Sequence, residues 1–159
     1  VPGVVDVLKT EFSRRQINGG ELGKGTISSQ RLFTLDVFGF VTDGVLIDTG
    51  AEGCGTGFAV FWEQDFDFAA ITHYHEDHTG CAAFLRAMGV PIFMNEQKIS
   101  GIAKKEDYRF TGIVSGEKGI PLQPSYRADV QFQKCKGDVI VTPGPSSDRL
   151  AFLNRNTGQ

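Results

Sequence analysis

The sequence predicts an α/β domain, and three observations carry that prediction. Short apolar strands alternate with helical segments through the middle of the chain, a hairpin with an Asp-Gly turn opens that run, and three histidines crowd the junction between one strand and the next helix. The 159 residues correspond to about one domain on a prior of roughly 100–200 residues each. No repeat, low-complexity stretch or Pro/Ser-rich linker divides them, so 1–159 reads as a single domain. Thirteen phenylalanines and 40% hydrophobic residues can fill a core, which excludes a disordered chain.

Residues 31–41 (RLFTLDVFGFV) are rich in β-branched and aromatic side chains, Asp43-Gly44 is a two-residue turn, and 45–48 return as a buried strand; residues 31–49 therefore predict a β-hairpin. Residues 50–57 form a glycine-rich bend, after which Phe58, Phe61 and Trp62 recur at helical spacing up to about Gln64. Residues 66–72 (FDFAAIT) are a short apolar strand that stops at the histidines. Beyond them Cys81, Phe84, Leu85 and Met88 fall at i, i+3, i+4 and i+7, which predicts an amphipathic helix from about 79 to 88 closed by Gly89. Residues 90–94 read as a strand, and Asn95 as the N-cap of a helix carrying Ile99, Ile102 and Ala103. Lys104-Lys105-Glu106-Asp107 reads as the solvated end of that helix. A long loop is expected over 107–128, followed by strands at 129–133, 138–142 and 149–154. The segment after Asn154 carries a hairpin signal with no returning strand behind it.

A net charge of −3 argues against a nucleic-acid face, which needs a basic patch. No apolar run approaches the roughly 18 residues of a membrane span, and Val1-Pro2-Gly3 lacks the basic-then-apolar pattern of a signal peptide. Cys54, Cys81 and Cys135 are widely spaced, odd in number and form no C-x-x-C pair, so free thiols in a reducing compartment, the cytoplasm, are expected. The apolar stripe places Cys81 as a small buried hydrophobe rather than a ligand.

The chemistry is concentrated in Thr72-His73-Tyr74-His75-Glu76-Asp77-His78-Thr79-Gly80. His73 and His75 follow a strand two residues apart, so an extended backbone points both imidazoles one way. Asp77 and His78 fall where the chain turns into the next helix and can swing back to the same pocket. Such a set of nitrogens and a carboxylate suits two neighbouring divalent cations of borderline softness, zinc first. Two such ions can share a water and clamp a carbonyl or phosphoryl oxygen. The plainer alternative is a polar strand-to-helix loop with Asp77 helping to cap the helix. That suits a lone histidine better than three histidines and an aspartate within six residues.

The H-x-H-x-D-H run, together with Leu46-Ile47-Asp48-Thr49-Gly50 before it and Val141-Thr142-Pro143-Gly144 after it, resembles the metallo-β-lactamase-fold superfamily from about residue 31 onward. The resemblance implies an αββα sandwich, of which this chain would be the N-terminal part, incomplete at the C-terminus, with a dinuclear metal site at one edge. It implies that His73 and His75 bind a first metal and that Asp77 and His78 bind a second. Asp77 would also hold the attacking hydroxide, and Asp48 would lie behind the ligands and orient one by hydrogen bonding. It further implies zinc as cofactor and a small-molecule substrate whose ester, thioester, amide or phosphodiester is attacked by a metal-bound hydroxide. Iron suits the same ligands, which leaves an iron-dependent oxidoreductase as an alternative.

The later family motif ends in histidine, whereas this chain has Pro145, whose side chain offers no donor atom. No fourth histidine exists to replace it. Four ligand positions remain, two for each ion, so weak or partial metal binding and an impaired hydrolase are expected. A non-catalytic remnant or interaction module that keeps the fold is the competing reading. A sandwich without its later part would expose an apolar face, so self-association or a complementary chain is also expected.

Overall fold

The computed structural model describes residues 9–29, 33–54, 57–59, 63, 66–95, 137–142, 144, 149–155 and 158. Phe61, Trp62 and Gln64 of the expected helical stretch lie outside the described residues. So do the helix expected after Asn95 with its charged end at 104–107, the loop at 107–128, the strand at 129–133, Cys135 and Pro145. Six strands form one sheet in sequential order: β1 (Lys9–Ile17), β2 (Gly20–Ser28), β3 (Thr34–Thr42), β4 (Val45–Ile47), β5 (Phe68–Ala70) and β6 (Ile92–Phe93). The first four pair antiparallel, and β4, β5 and β6 run parallel. A second, two-stranded antiparallel sheet contains β7 (Gly137–Val141) and β8 (Leu150–Asn154).

The predicted hairpin is β3–β4, and its turn explains why it forms there. Asp43 and Gly44 both have positive φ, 44° and 77°, the backbone that a tight two-residue hairpin needs and that Asp-Gly tolerates. A hairpin ahead of it, β1–β2, was not anticipated by the residue pattern. It turns at Asn18-Gly19, with Ile17 opposite Gly20. Its first strand is exposed along nearly its whole length and its second carries three glycines, so neither shows the apolar alternation of a half-buried strand.

The central strands alternate strictly between two cores. Leu46, Ala69, Ile71 and Ile92 face one side, in one cluster with Ile27 and Val37 of the same sheet and with Phe58, Ala82 and Leu85. Val45, Phe68 and Ala70 face the other, with Ile47 and Phe93, and are covered by Val139 of β7 and Phe152 of β8. A parallel segment buried on both faces is the arrangement that near-continuous apolar strands require. The result is a helical layer, a sheet and a second sheet, joined also by the Leu150 N–H donating to the Thr72 carbonyl at 2.7 Å.

The helix expected over 79–88 forms as α2 (Ala82–Ala87), and a separate turn, α1 (Glu76–Thr79), precedes it. The His78 and Thr79 amides both donate to the His75 carbonyl, and the Thr79 hydroxyl donates there as well, which closes α1 as one turn tied to the histidine loop. The buried face of α2 centres on Ala82 and Leu85. Cys81, Ala82 and Leu85 are buried, but Phe84 and Met88 are 54% and 59% exposed rather than part of the core stripe. The strands expected at 66–72 and 90–94 form at their predicted places but are shorter. Among the described residues no helix is long and apolar enough to cross a membrane.

The bend after β4 is held open by one glycine. Gly50 has φ 69°, and a Cβ there would lie 2.4–2.6 Å from the Phe58 ring. Gly89 also has positive φ, 87°, but meets nothing within 4 Å. Gly50→Ala should therefore cost roughly 2–5 kcal/mol, from left-handed strain plus overpacking, and Gly89→Ala only about 1–2 kcal/mol from strain. Urea unfolding of both variants checks this; equal losses would mean that Phe58 yields freely.

Candidate metal centre

The site lies where β4 and β5 end side by side. Asp48, the first residue after β4, takes a left-handed backbone with φ 58°, uncommon for a residue with a side chain. Its amide donates to the Ala70 carbonyl at 3.0 Å, and its buried carboxylate reaches across to the residue after Ile71. There the Thr72 amide donates to Asp48 Oδ1 at 2.8 Å and the Thr72 hydroxyl to Oδ2 at 2.8 Å. Thr49 anchors α1: its amide and hydroxyl both donate to the His78 carbonyl, at 2.8 and 3.0 Å. Each residue of Asp48-Thr49-Gly50 thus has its own task, toward the histidines, toward α1 and toward Phe58.

The structure brings His73, His75, Asp77 and His78 together. The ring of His73 lies 4.6 Å from that of His75 and 4.0 Å from that of His78, centroid to centroid. His78 Nδ1 is 2.7 Å from Asp48 Oδ2, and His78 Nε2 is 3.2 Å from Asp77 Oδ2. Asp48 therefore sits against the Nδ1 side of the His78 ring. The 3.2 Å separation between Asp77 and His78 also fits two donors of one cation. Zinc bonds of about 2.0–2.2 Å at angles between octahedral and tetrahedral set ligand atoms roughly 2.8–3.5 Å apart.

Among the described residues no group of three or more His, Cys, Asp or Glu is arranged to enclose a single ion. Cys81 adds none: it is buried, and its thiol points to the Ala51 carbonyl at 3.3 Å. What residue spacing did not reveal is the part played by Thr72 and Thr49. Both stand inside the quoted motifs, but hydroxyls carry no periodic or ligand-type signature, and their partners lie 24 and 29 residues away in sequence.

Electrostatics follow from these contacts. Burial disfavours the charged form of His78, but its hydrogen bonds to the Asp48 and Asp77 carboxylates outweigh it and push its pKa up to about 9. Burial would likewise raise the Asp77 pKa, yet the His78 contact wins and holds it below the usual carboxylate value. His73 is shifted down, first by burial and then by the neighbouring imidazoles of His78 and His75.

No protein-family model matches the sequence, and no functionally curated protein matches it either. Solved structures do match in shape. The metallo-β-lactamase GOB-18 from Elizabethkingia meningoseptica superposes with a TM-score of 0.60 at 17% identity, over 87% of this chain and 54% of its own. A metallo-β-lactamase from Hirschia baltica gives 0.60 at 18% identity, over 92% of this chain and 67% of its own. This is the metallo-β-lactamase fold. A third such enzyme, from Pontibacter korlensis, agrees with a TM-score of 0.57 at 20% identity, over 90% of this chain and 66% of its own. The chain thus spans between 54% and 67% of the length of these metallo-β-lactamases. At such identities, what is shared is the metallo-β-lactamase architecture of stacked sheets with a helical layer.

In the metal-free chain His78 should stay protonated through neutral pH and titrate near 9, whereas His73 should titrate below its ordinary 6.5. The stability contributed by His78 is then fully present below its unfolded pKa of about 6.5 and is lost as pH rises through about 9. Histidine NMR titration with a chelator present reads both values; superimposable His73 and His78 curves near 6.5 would show that the carboxylate clamp does not form.

Proposed function

We propose that the chain carries a zinc site of metallo-β-lactamase type and acts as a metal-dependent hydrolase on a small-molecule ester, thioester, amide or phosphodiester. The observation behind this is the convergence of His73, His75, Asp77 and His78 with the Asp48 carboxylate seated behind His78. His73 and His75 would hold one ion, and Asp77 with His78 a second. Zinc bound there would supply a water acidified toward neutrality and an electrophile for the scissile oxygen.

The chain's own residues do the rest. Asp77 is held ionised beside His78, so its carboxylate can accept a proton contact from the attacking water and aim it. Asp48 fixes the direction of the His78 ring through Nδ1. His73 is buried while the Asp77 side chain is 37% exposed, so the edge presents the carboxylate to solvent and to substrate, with the imidazole beneath.

One observation favours a second reading, a metallo-β-lactamase fold kept without turnover. Each ion would have two protein donors among the described residues, and Pro145 stands where the resemblance calls for a histidine. Loss of outer partners alone typically costs 10–100-fold in metal affinity, and loss of direct ligands costs more.

Zinc titration against a competing chelator, combined with metal analysis of the purified chain, separates the two. The expected result is zinc binding that weakens at least about tenfold in His75→Ala and in Asp77→Asn, and tightens by at least about tenfold in Pro145→His. No zinc binding by the unaltered chain would contradict the hydrolase reading and support the retained fold, and iron in the purified chain would move the chemistry to oxidation.

A further inference from the structure

We propose that the Thr72 hydroxyl is a positioning group that holds His73 as its Nδ1–H tautomer and thereby leaves His73 Nε2 free for a cation. A proton count leads there. An ionised carboxylate only accepts hydrogen bonds, and a threonine hydroxyl has a single proton. Thr72 Oγ1 lies 2.8 and 3.1 Å from the two oxygens of Asp48, so that proton is directed to the carboxylate. The same Oγ1 lies 2.9 Å from His73 Nδ1 and has only lone pairs left to offer. His73 Nδ1 must then be the donor, which in a neutral imidazole makes Nε2 the bare nitrogen.

His78 obeys the same carboxylate without an intermediary. Its Nδ1 is 2.7 Å from Asp48 Oδ2 and 3.4 Å from the Thr72 hydroxyl, so its proton also goes to Asp48. One buried carboxylate therefore sets two imidazoles, one directly and one through Thr72. The threonine itself is fixed on both sides of its Cα. Its amide donates to Asp48 Oδ1 at 2.8 Å, and its carbonyl accepts the Leu150 amide of β8 at 2.7 Å. The second sheet is thus coupled to the orientation of a histidine in the site.

The consequence for metal rests on the zinc reading above, whereas the hydrogen-bond assignment holds for the metal-free chain. The test uses both. Long-range 15N NMR of the histidine-labelled, chelator-treated chain reads the tautomer of His73. The expected result is protonated Nδ1 and bare Nε2 in the unaltered chain and in Thr72→Ser, with Thr72→Val shifting toward the Nε2–H form. Zinc titration should then show Thr72→Val weakened about 10–100-fold and Thr72→Ser within about threefold of the unaltered chain. A His73 protonated at Nε2 in the unaltered chain overturns the proposal, as does a Thr72→Val chain that keeps the Nδ1–H form or the full zinc affinity. If Thr72→Val does not fold, the unaltered and Thr72→Ser spectra decide. If no form binds zinc, the hydrolase reading fails and the tautomer comparison alone decides the role of Thr72.

Discussion

The buried carboxylate of Asp48 is the constraint on which the rest of the site depends. A charge taken out of water is costly unless donors surround it. Here the Thr72 amide, the Thr72 hydroxyl and His78 Nδ1 do so, each within 2.8 Å. Those donors come from the end of β5 and from α1, so satisfying one side chain draws three elements to a common point. The left-handed backbone of Asp48 is strained by about 1–2 kcal/mol for a residue with a Cβ. It persists because its own amide pairs with Ala70 and the next residue pins α1 through the His78 carbonyl. The strain turns the carboxylate sideways across the strand ends instead of into either core.

That placement converts a layered fold into a site. The alternation of Val45, Leu46 and Ile47 and of Phe68, Ala69 and Ala70 commits successive side chains to opposite cores. A register slip of one residue would exchange the two sets. With both faces occupied by packing, chemistry is left to the residues just beyond the strand ends, where the chain stops alternating. His73, His75, Asp77 and His78 occupy those positions on one side and Asp48 on the other. The fold therefore puts the candidate site at the strand ends, with the short segment 72–80 and Asp48 around it.

Much of this was legible in the residues. Asp43-Gly44 announced its hairpin because only a few residue types tolerate two successive positive φ angles, and the histidine run announced itself because it is local. Asp48 stood out through the motif it belongs to, and the fold brings it against His78 although 30 residues separate them. The β1–β2 hairpin was not legible. Lys9–Ile17 is held by its ladder to β2 and by Phe12 against Phe58, not by a buried apolar face, and β2 reads as glycines and polar residues. The stripe through Phe84 and Met88 misled because the buried side of α2 is set by Ala82 and Leu85, and a small alanine gives no signal in a pattern of large apolar residues. The two threonines were invisible because a hydroxyl gains its role only from partners brought close by folding.

If Asp48 is the organiser of the site, it prearranges His78 Nε2 and Asp77 Oδ2 as donors of one ion. A crystal structure of the chain soaked at saturating zinc tests this most directly. Zinc is expected about 2.0–2.2 Å from both atoms, with His78 Nδ1 still on Asp48. Zinc bound elsewhere, or His78 and Asp77 still paired to each other with no cation between them, would contradict it.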